Sequence, residues 1–521
     1  MLFVGALAAV AIAWCVSSLW LPFGWDHGLF ATVSDVIRRG GMPYRDIWEI
    51  KGPLALYLYA VAQGVGHPQM WGIRLLDVAF LAMGAYAGWR LVRELAGPVA
   101  ALFGVATIVL GFAGFGHWYT AQPDGWAAQL LIVLVWLLAA PQRSVRRIAV
   151  AGAVLGALCL MKPTYLLFAL LFVPVLVRTG RSEQRVDVNA AGAAMLAFAI
   201  PVALLLGYLA SRGALAPLID QHLIFNRERL ASDPSLQMPL SRVALLTMTI
   251  VTASPELAAA LPLAMLGIGV SWRRDRRVLG SLLVLWFVLA LATVALQRKF
   301  LLHNYSWHPA YPPVLLGAAI GLGFLWRQAR THVELAALAW CSALLVAYHV
   351  AKTPAAQTAS WLRWLASGQS VADYHASFEG PLPWLANRTA LDAFGFSLSR
   401  DVRFARHVRE QTSAGDGVYV WSDPLINYLT DRPSPTPITA PEAFTIWGSE
   451  ARRARYRDEF ARAIRNGRAA LIAVPAFALE PTGDPEFNLN VAFPELLHAL
   501  DDAYEPAGEF ENLRLFRPRR R

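Results

Sequence analysis

Asp26 is the first side chain in this 521-residue sequence whose place invites chemistry. It follows the apolar run 1–22 directly, in the context Gly24-Trp25-Asp26-His27-Gly28, so its carboxylate is expected at a lipid–water boundary. An acid there either caps a helix or serves as a general base in an aromatic, partly desolvated setting. The pattern Leu29-Phe30…Val33…Val36-Ile37 predicts an amphipathic helix along the interface, closed by Gly40-Gly41. Beyond it, Arg45, Asp46, Glu49 and Lys51 place two acids and two bases within seven positions, ahead of Gly52-Pro53. Such a group is either a solvated ion-pair cluster or an anion-binding site. Lys51 stands at the predicted start of a helix, where the N-terminal partial charge adds to its own and suits a lipid phosphate. A snorkelling lysine fits the same place.

Lys162-Pro163 interrupts two short apolar segments. Burying a lysine in a membrane costs roughly 2.5–3.5 kcal/mol on insertion scales, so Lys162 is expected to face a cavity or the interface, as a loop lysine or a second phosphate contact. A basic and then aromatic stretch runs from Gln297 to His308. Its Trp and Tyr fit an interfacial belt. Alternatively Arg298, preferred to Lys299 for its bidentate fork, neutralises a leaving phosphate while His303 and Tyr305 line the site. His222, Asn226 and Arg227 are weaker candidates, explained as well by a polar linker. His27 and His117 could pair with Asp26 or Asp124 around a divalent metal ion, but no HxxxH or HExxH spacing is present, so no metal ligand is assigned. Cys15, Cys159 and Cys341 lie in apolar runs and support neither a disulfide nor zinc.

The elements that must position these groups follow from composition. Hydrophobic residues make up 56% and charged residues 16%, against about 25% charged in soluble chains. Mean hydropathy is +0.43. Disorder, a secreted disulfide scaffold and an ordinary cytosolic enzyme are excluded as first readings. The fold class expected is a polytopic α-helical membrane protein of about eleven transmembrane helices, from runs of roughly the 20 residues a bilayer requires. These lie near 1–22, 70–89, 97–116, 125–140, 147–161, 164–178, 188–210, 242–271, 278–296, 309–326 and 332–350. Arginine clusters at 90–93, 143–147, 178–185, 273–277 and 327–330 fall in every second connection. The positive-inside rule then puts the N-terminus in the cytoplasm and the first outer loop, 23–69, outside. The net charge of +10 thus reflects topology rather than nucleic-acid binding. Residues 1–350 are read as a transmembrane domain and 351–521 as a small α/β domain on the outer face, with buried parallel strands at 417–421 and 469–474.

The order of these motifs resembles the GT-C class of membrane glycosyltransferases, in particular the protein O-mannosyltransferase and lipid A aminoarabinose transferase-like family. The motifs are Trp25-Asp26-His27-Gly28, Gly41-Met42-Pro43-Tyr44-Arg45-Asp46, Lys51-Gly52-Pro53 followed by Tyr57 and Tyr59, Ala121-Gln122-Pro123-Asp124, Lys162-Pro163-Thr164, His303-Asn304-Tyr305 and Asn427-Tyr428-Leu429…Asp431-Arg432-Pro433. The resemblance spans nearly the whole chain. It implies that Asp26 is the catalytic carboxylate and Lys51 the holder of the donor phosphate, in a Lys-Gly-Pro rather than Lys-Pro-Pro setting. Many members carry Asp-Glu where this chain has Asp26-His27, so Asp46, Glu49 or Asp124 is the expected second acid.

The function expected is transfer of a sugar from a polyprenyl-phosphate-linked donor to an envelope acceptor (lipid, glycan or protein) on the periplasmic face of a bacterial-type inner membrane. Transfer would invert the anomeric carbon, with Asp26 as base and Lys51 and Arg298 on the leaving phosphate. No cofactor is assigned beyond a possible divalent ion. The rival readings are a transporter or flippase of lipid-linked saccharides, and an envelope assembly protein without catalysis.

Overall fold

Inside a bilayer, backbone N–H and C=O groups find partners only within helices or closed barrels. The apolar runs of this chain are accordingly helical in the computed structural model. The model describes residues 1–519 apart from 68, 141–143, 180–183, 233–238, 274–275, 298–304, 330, 379–396, 422, 440–446, 467–468 and 481–487. The first seven helices are α1 (Leu2–Ser18), α2 (Trp25–Arg38), α3 (Pro53–Gly66), α4 (Trp71–Ala96), α5 (Pro98–Ala113), α6 (Pro123–Leu138) and α7 (Val145–Met161). Among the described residues, six helices are long and apolar enough to cross a membrane: α4, Val188–Ser211, Pro255–Arg273, Arg277–Leu296, Tyr305–Gln328 and Val333–Ser367. Shorter apolar helices are α1, α5, α6 and Pro163–Leu176.

The chain divides into two units. One comprises Met1–Leu21, Ile73–Leu206 and Pro239–Gly368. Its tightest crossing is built on glycine: a Cβ on Gly267 of Pro255–Arg273 would lie 2.0 Å from the Gly317 carbonyl on the helix Tyr311–Gln328. Such small-residue contacts let membrane helices approach backbone to backbone. Two expected spans differ. The run 242–271 is two helices, Leu240–Ala253 and Pro255–Arg273, because a proline disfavours helical geometry at the residue before it. The buried Ser254 hydroxyl there lies 2.9 Å from Glu256 Oε2 and 3.1 Å from the Tyr311 hydroxyl. The run 332–350 extends to Ser367 and ends at Gly368, whose φ of +66° closes the helix. Its polar Gln357 is buried, accepting from Trp14 Nε1 at 2.8 Å, so the composition shift near 351 lies inside a helix.

The other unit comprises Pro22–Gly72, Gly207–Met238 and Gln369–Arg521. The antiparallel pair β1 (Val177–Thr179) and β2 (Gln184–Val186) belongs to the first unit; the sheet of the second is β3 (Gly417–Val420), β4 (Ala469–Pro475), β5 (Tyr504–Phe510) and β6 (Leu513–Pro518). Its order is β3-β4-β6-β5, with β3 and β4 parallel and the other pairs antiparallel. Trp48 from the first loop and Phe225 share one buried cluster with Tyr419, Trp421, Phe460 and Leu496. The chain passes between the two units five times, at 21/22, 72/73, 206/207, 238/239 and 368/369. The loop 23–69, expected with the first 350 residues, groups with the C-terminal sheet because its aromatic and apolar side chains are buried there.

Candidate active site

Within the second unit, α2 starts at Gly24, whose N–H donates to His27 Nδ1 at 2.8 Å. His27 is fully buried and performs the backbone-capping task that Glu or Gln usually performs at that position of a capping box. This fixes Asp26, half-buried in the first turn, where the helix N-terminus favours a negative charge. Phe30 lies one turn further along the same face. Lys51 Nζ stands 5.6 Å from the centre of the Phe30 ring, so the cation of the Lys-Gly-Pro motif meets the helix that carries Asp26.

The strand-like loop before Lys51 is held on every side. The Tyr44 hydroxyl donates to the Lys51 carbonyl at 2.6 Å, and Tyr44 itself takes a positive φ of 68°. Gln221 donates to the Tyr44 carbonyl at 2.7 Å and accepts from the Glu49 N–H at 3.1 Å. His222 Nδ1 lies 2.6 Å from the Ile50 carbonyl, and Asn226 donates to the same carbonyl at 3.3 Å. The 211–241 segment, weakest among the expected candidates, thus shapes this loop. Gln221 was not singled out from sequence; a lone glutamine gives no signal.

Glu49 is fully buried, and its Oε1 accepts from the N–H groups of Ile50 at 2.7 Å and Lys51 at 2.9 Å. Burial pushes its carboxyl up to about 7, against the opposing pull of Lys51, while the Asp26 charge adds to the rise. Asp46 is placed otherwise. It forms a fork-to-fork pair with Arg45 at 2.7 Å and accepts from the Met42 N–H at 2.7 Å. The Arg45 hydrogen bonds hold its carboxyl below the ordinary range. Arg45 also donates to the Arg212 carbonyl at 2.7 Å. Of the acids expected beside Asp26, the loop therefore buries Glu49 and binds Asp46 in a local clamp.

In the first unit, Asp124 sits behind Pro123 in the opening turn of α6. Its Oδ1 accepts from Lys162 Nζ at 2.7 Å and from the Tyr165 hydroxyl at 2.6 Å. Lys162, in extended conformation between α7 and the 3-10 helix Pro163–Phe172, is thereby paired with the acid that the motifs singled out. Tyr305 is buried with its ring 6.0 Å from that of Tyr119. His308 Nε2 lies 3.0 Å from the Tyr119 carbonyl. Arg298 and His303 lie outside the described residues. Arg74 and Asp77 were missed by the sequence reading. Arg74 donates to Thr120 Oγ1 at 2.9 Å, and Asp77 accepts from the Ala121 N–H at 3.1 Å and Trp126 Nε1 at 2.9 Å. Two opposite charges within the apolar run 70–89 were the available signal.

Metal ligation at the residues weighed from sequence is weakened by the use of His27 Nδ1 as a capping acceptor. Among the described residues, one carboxylate–histidine group converges: Asp35, His67 and Asp431 bring a ligand atom each within 4.8 Å of one another. Arg39 pairs with Asp35 at 2.6 Å and also with Asp431, so a guanidinium already neutralises these acids and a metal ion would have to displace it.

No family model matches the chain, and no curated protein matches it in sequence. Its fold does match solved structures. ArnT from Cupriavidus metallidurans bound to undecaprenyl phosphate superposes with a TM-score of 0.60 at 15% identity, over 99% of this chain and 97% of that one. The apo state of ArnT from the same organism gives 0.52 at 13% identity over the same shares. The chain therefore shares the fold of ArnT.

Proposed function

We propose that this chain is an integral-membrane glycosyltransferase that moves a sugar from a polyprenyl-phosphate-linked donor to an envelope acceptor on the periplasmic face. The observation that carries the reading is the meeting of Lys51 with Phe30, one turn along α2 from Asp26. On this reading the assigned base and the assigned phosphate-holding cation meet at one helix inside one unit. ArnT, whose fold this chain shares, is described bound to undecaprenyl phosphate, a ligand of the donor class proposed here.

The acceptor hydroxyl attacks the anomeric carbon as its proton passes to the Asp26 carboxylate. A new C–O bond forms on one face while the bond to the phosphate oxygen breaks on the other, so configuration inverts. The departing lipid phosphate gains negative charge, which Lys51 offsets through the transition state. Glu49 acts as a positioning residue: its Oε1 holds the backbone of Ile50 and Lys51 and so aims the lysine. Its buried carboxyl near neutrality limits the negative charge placed beside Asp26 and the phosphate.

The test is transfer by purified protein from lipid-phosphate-linked sugars. Asp26→Asn is expected to lower turnover by a factor of about 10²–10⁴, the usual contribution of a general base, with donor binding retained. Lys51→Ala is expected to weaken donor binding. Full turnover by Asp26→Asn removes the assigned base, and no transfer by the native chain from any lipid-phosphate sugar removes the reading.

A further inference from the structure

The helices that hold Asp124 and Lys162 at one end enclose a basic cleft at the other. The last turns of α4 and α6, the first turn of α7 and the start of Arg277–Leu296 surround a cleft of about 70 Å³. All of it lies within the first unit. Arg90, Glu94, Trp136, Arg147, Arg276 and Leu279 are among its walls. Trp136 lies twelve residues after Asp124 on α6, about 18 Å along the axis at 1.5 Å per residue. The cleft thus sits toward the membrane face opposite Asp124, which the arginine pattern assigns to the cytoplasm.

Among the described residues, cations outnumber anions in this cleft. Arg276 Nη2 reaches Glu94 at 3.4 Å, a long contact to a carboxylate 47% exposed. Arg90 donates to the Tyr86 hydroxyl at 3.1 Å, a neutral partner. Arg147 lies over the Trp136 ring, 5.4 Å from its centre. Among the described residues, three guanidinium groups from three chain segments therefore face a space whose lining offers one carboxylate. Like charges gathered in this way repel unless an anion joins them. Guanidinium forks match phosphate oxygens. The remaining walls, including Leu91, Leu95 and Leu279, are apolar, which a free phosphate cannot use and an acyl chain can.

We propose that this cleft binds the phosphate of an anionic phospholipid, with Arg90, Arg147 and Arg276 on the headgroup and the apolar wall along the first carbons of its chains. Lys and Arg residues near an anionic membrane surface gain about 1 kcal/mol each, a factor of about five in affinity, and basic pockets between membrane helices bind lipid head groups. The site shares no residue with the Asp26–Lys51 region and does not depend on the transferase reading.

The test is native mass spectrometry of the full chain in detergent, with phosphatidylglycerol, phosphatidylcholine or inorganic phosphate added separately. Phosphatidylglycerol is expected to be retained in preference to phosphatidylcholine. Arg90→Gln combined with Arg276→Gln is expected to weaken that retention about 25-fold, two factors of five. Arg93→Gln, an exposed arginine outside the cleft lining, is expected to leave it unchanged. If the double variant does not purify folded, Arg147→Gln alone is expected to give about a fivefold loss. Equal retention of the two lipids, or equal loss in the Arg93 variant, overturns the proposal. Displacement of phosphatidylglycerol by equimolar inorganic phosphate overturns the lipid assignment.

Discussion

Glu49 titrates near 7 because the folded chain buries it, whereas the unfolded chain exposes it at an ordinary value near 4.5. The raised value means that the fold prefers the protonated acid. The associated stability is present below about pH 4.5 and is lost as pH rises through 7, up to about 3 kcal/mol for a 2.5-unit shift. Glu49→Gln keeps an oxygen for the Ile50 and Lys51 N–H groups and removes the titration. Relative to this variant, the native melting temperature is expected to fall between about pH 4.5 and pH 7 and to level off above; a constant offset in thermal unfolding across that range refutes the assignment. The sequence shows that an acid stands two residues before Lys51, but not which acid is buried. That depends on Gln221, a partner 172 positions away that binds the Glu49 N–H. Asp46 looked equally suited until its clamp with Arg45 and Met42 was visible. His27 replaces an expected acid, and its capping geometry explains how that substitution is accommodated.

Helix α2 approaches the helix Leu425–Thr430 so closely that a Cβ at Gly28 would lie 2.7 Å from Leu425 Cβ. Thr32 Oγ1 donates to the Pro424 carbonyl at 2.6 Å along the same contact. Gly28→Ala is expected to destabilise the protein by about 1–3 kcal/mol, with Leu425→Ala restoring part of the loss in chemical denaturation. Equal stability of native and Gly28→Ala proteins contradicts this packing. In the other unit, Lys162→Met leaves the buried Asp124 carboxylate without its cation. Since Lys162 is 23% exposed, the expected cost is about 2 kcal/mol, below that of a fully buried pair. The double variant with Asp124→Asn is expected to lose less than Lys162→Met alone; additive losses refute the coupling. Apolar runs and the start of the helix at Pro53 were legible because length and proline placement are local signals. The break at Ser254 had its local signal in Pro255, but the extension to Ser367 was not legible, because it depends on the polar Gln357, which becomes buried through its distant partner Trp14.

At the scale of the whole molecule, the unit carrying Asp26 is assembled from three stretches of chain separated by membrane-type helices. Arg452 ties two of them together, pairing with Asp220 at 2.7 Å and Glu228 at 2.9 Å. Trp48 donates through Nε1 to the Tyr456 hydroxyl at 3.2 Å. Truncation after Gly368 is expected to leave Trp48 and Phe225 without their apolar partners. Limited proteolysis should then cut within 22–72 in the truncated chain and spare those residues in the full one; equal protection contradicts the shared core. Sequence periodicity showed the strands at 417–421 and 469–474, yet not that an early loop would be packed with them, since composition carries no record of long-range pairing. This arrangement also sets an order for biogenesis. Tyr456 leaves the ribosome 408 residues after Trp48, a delay of roughly 20–80 s at ordinary synthesis rates of about 5–20 residues per second. For that interval the aromatic segment around Trp48 is already made and its final neighbours are not, so newly made chains need shelter from proteases and from one another until the last third of the protein arrives.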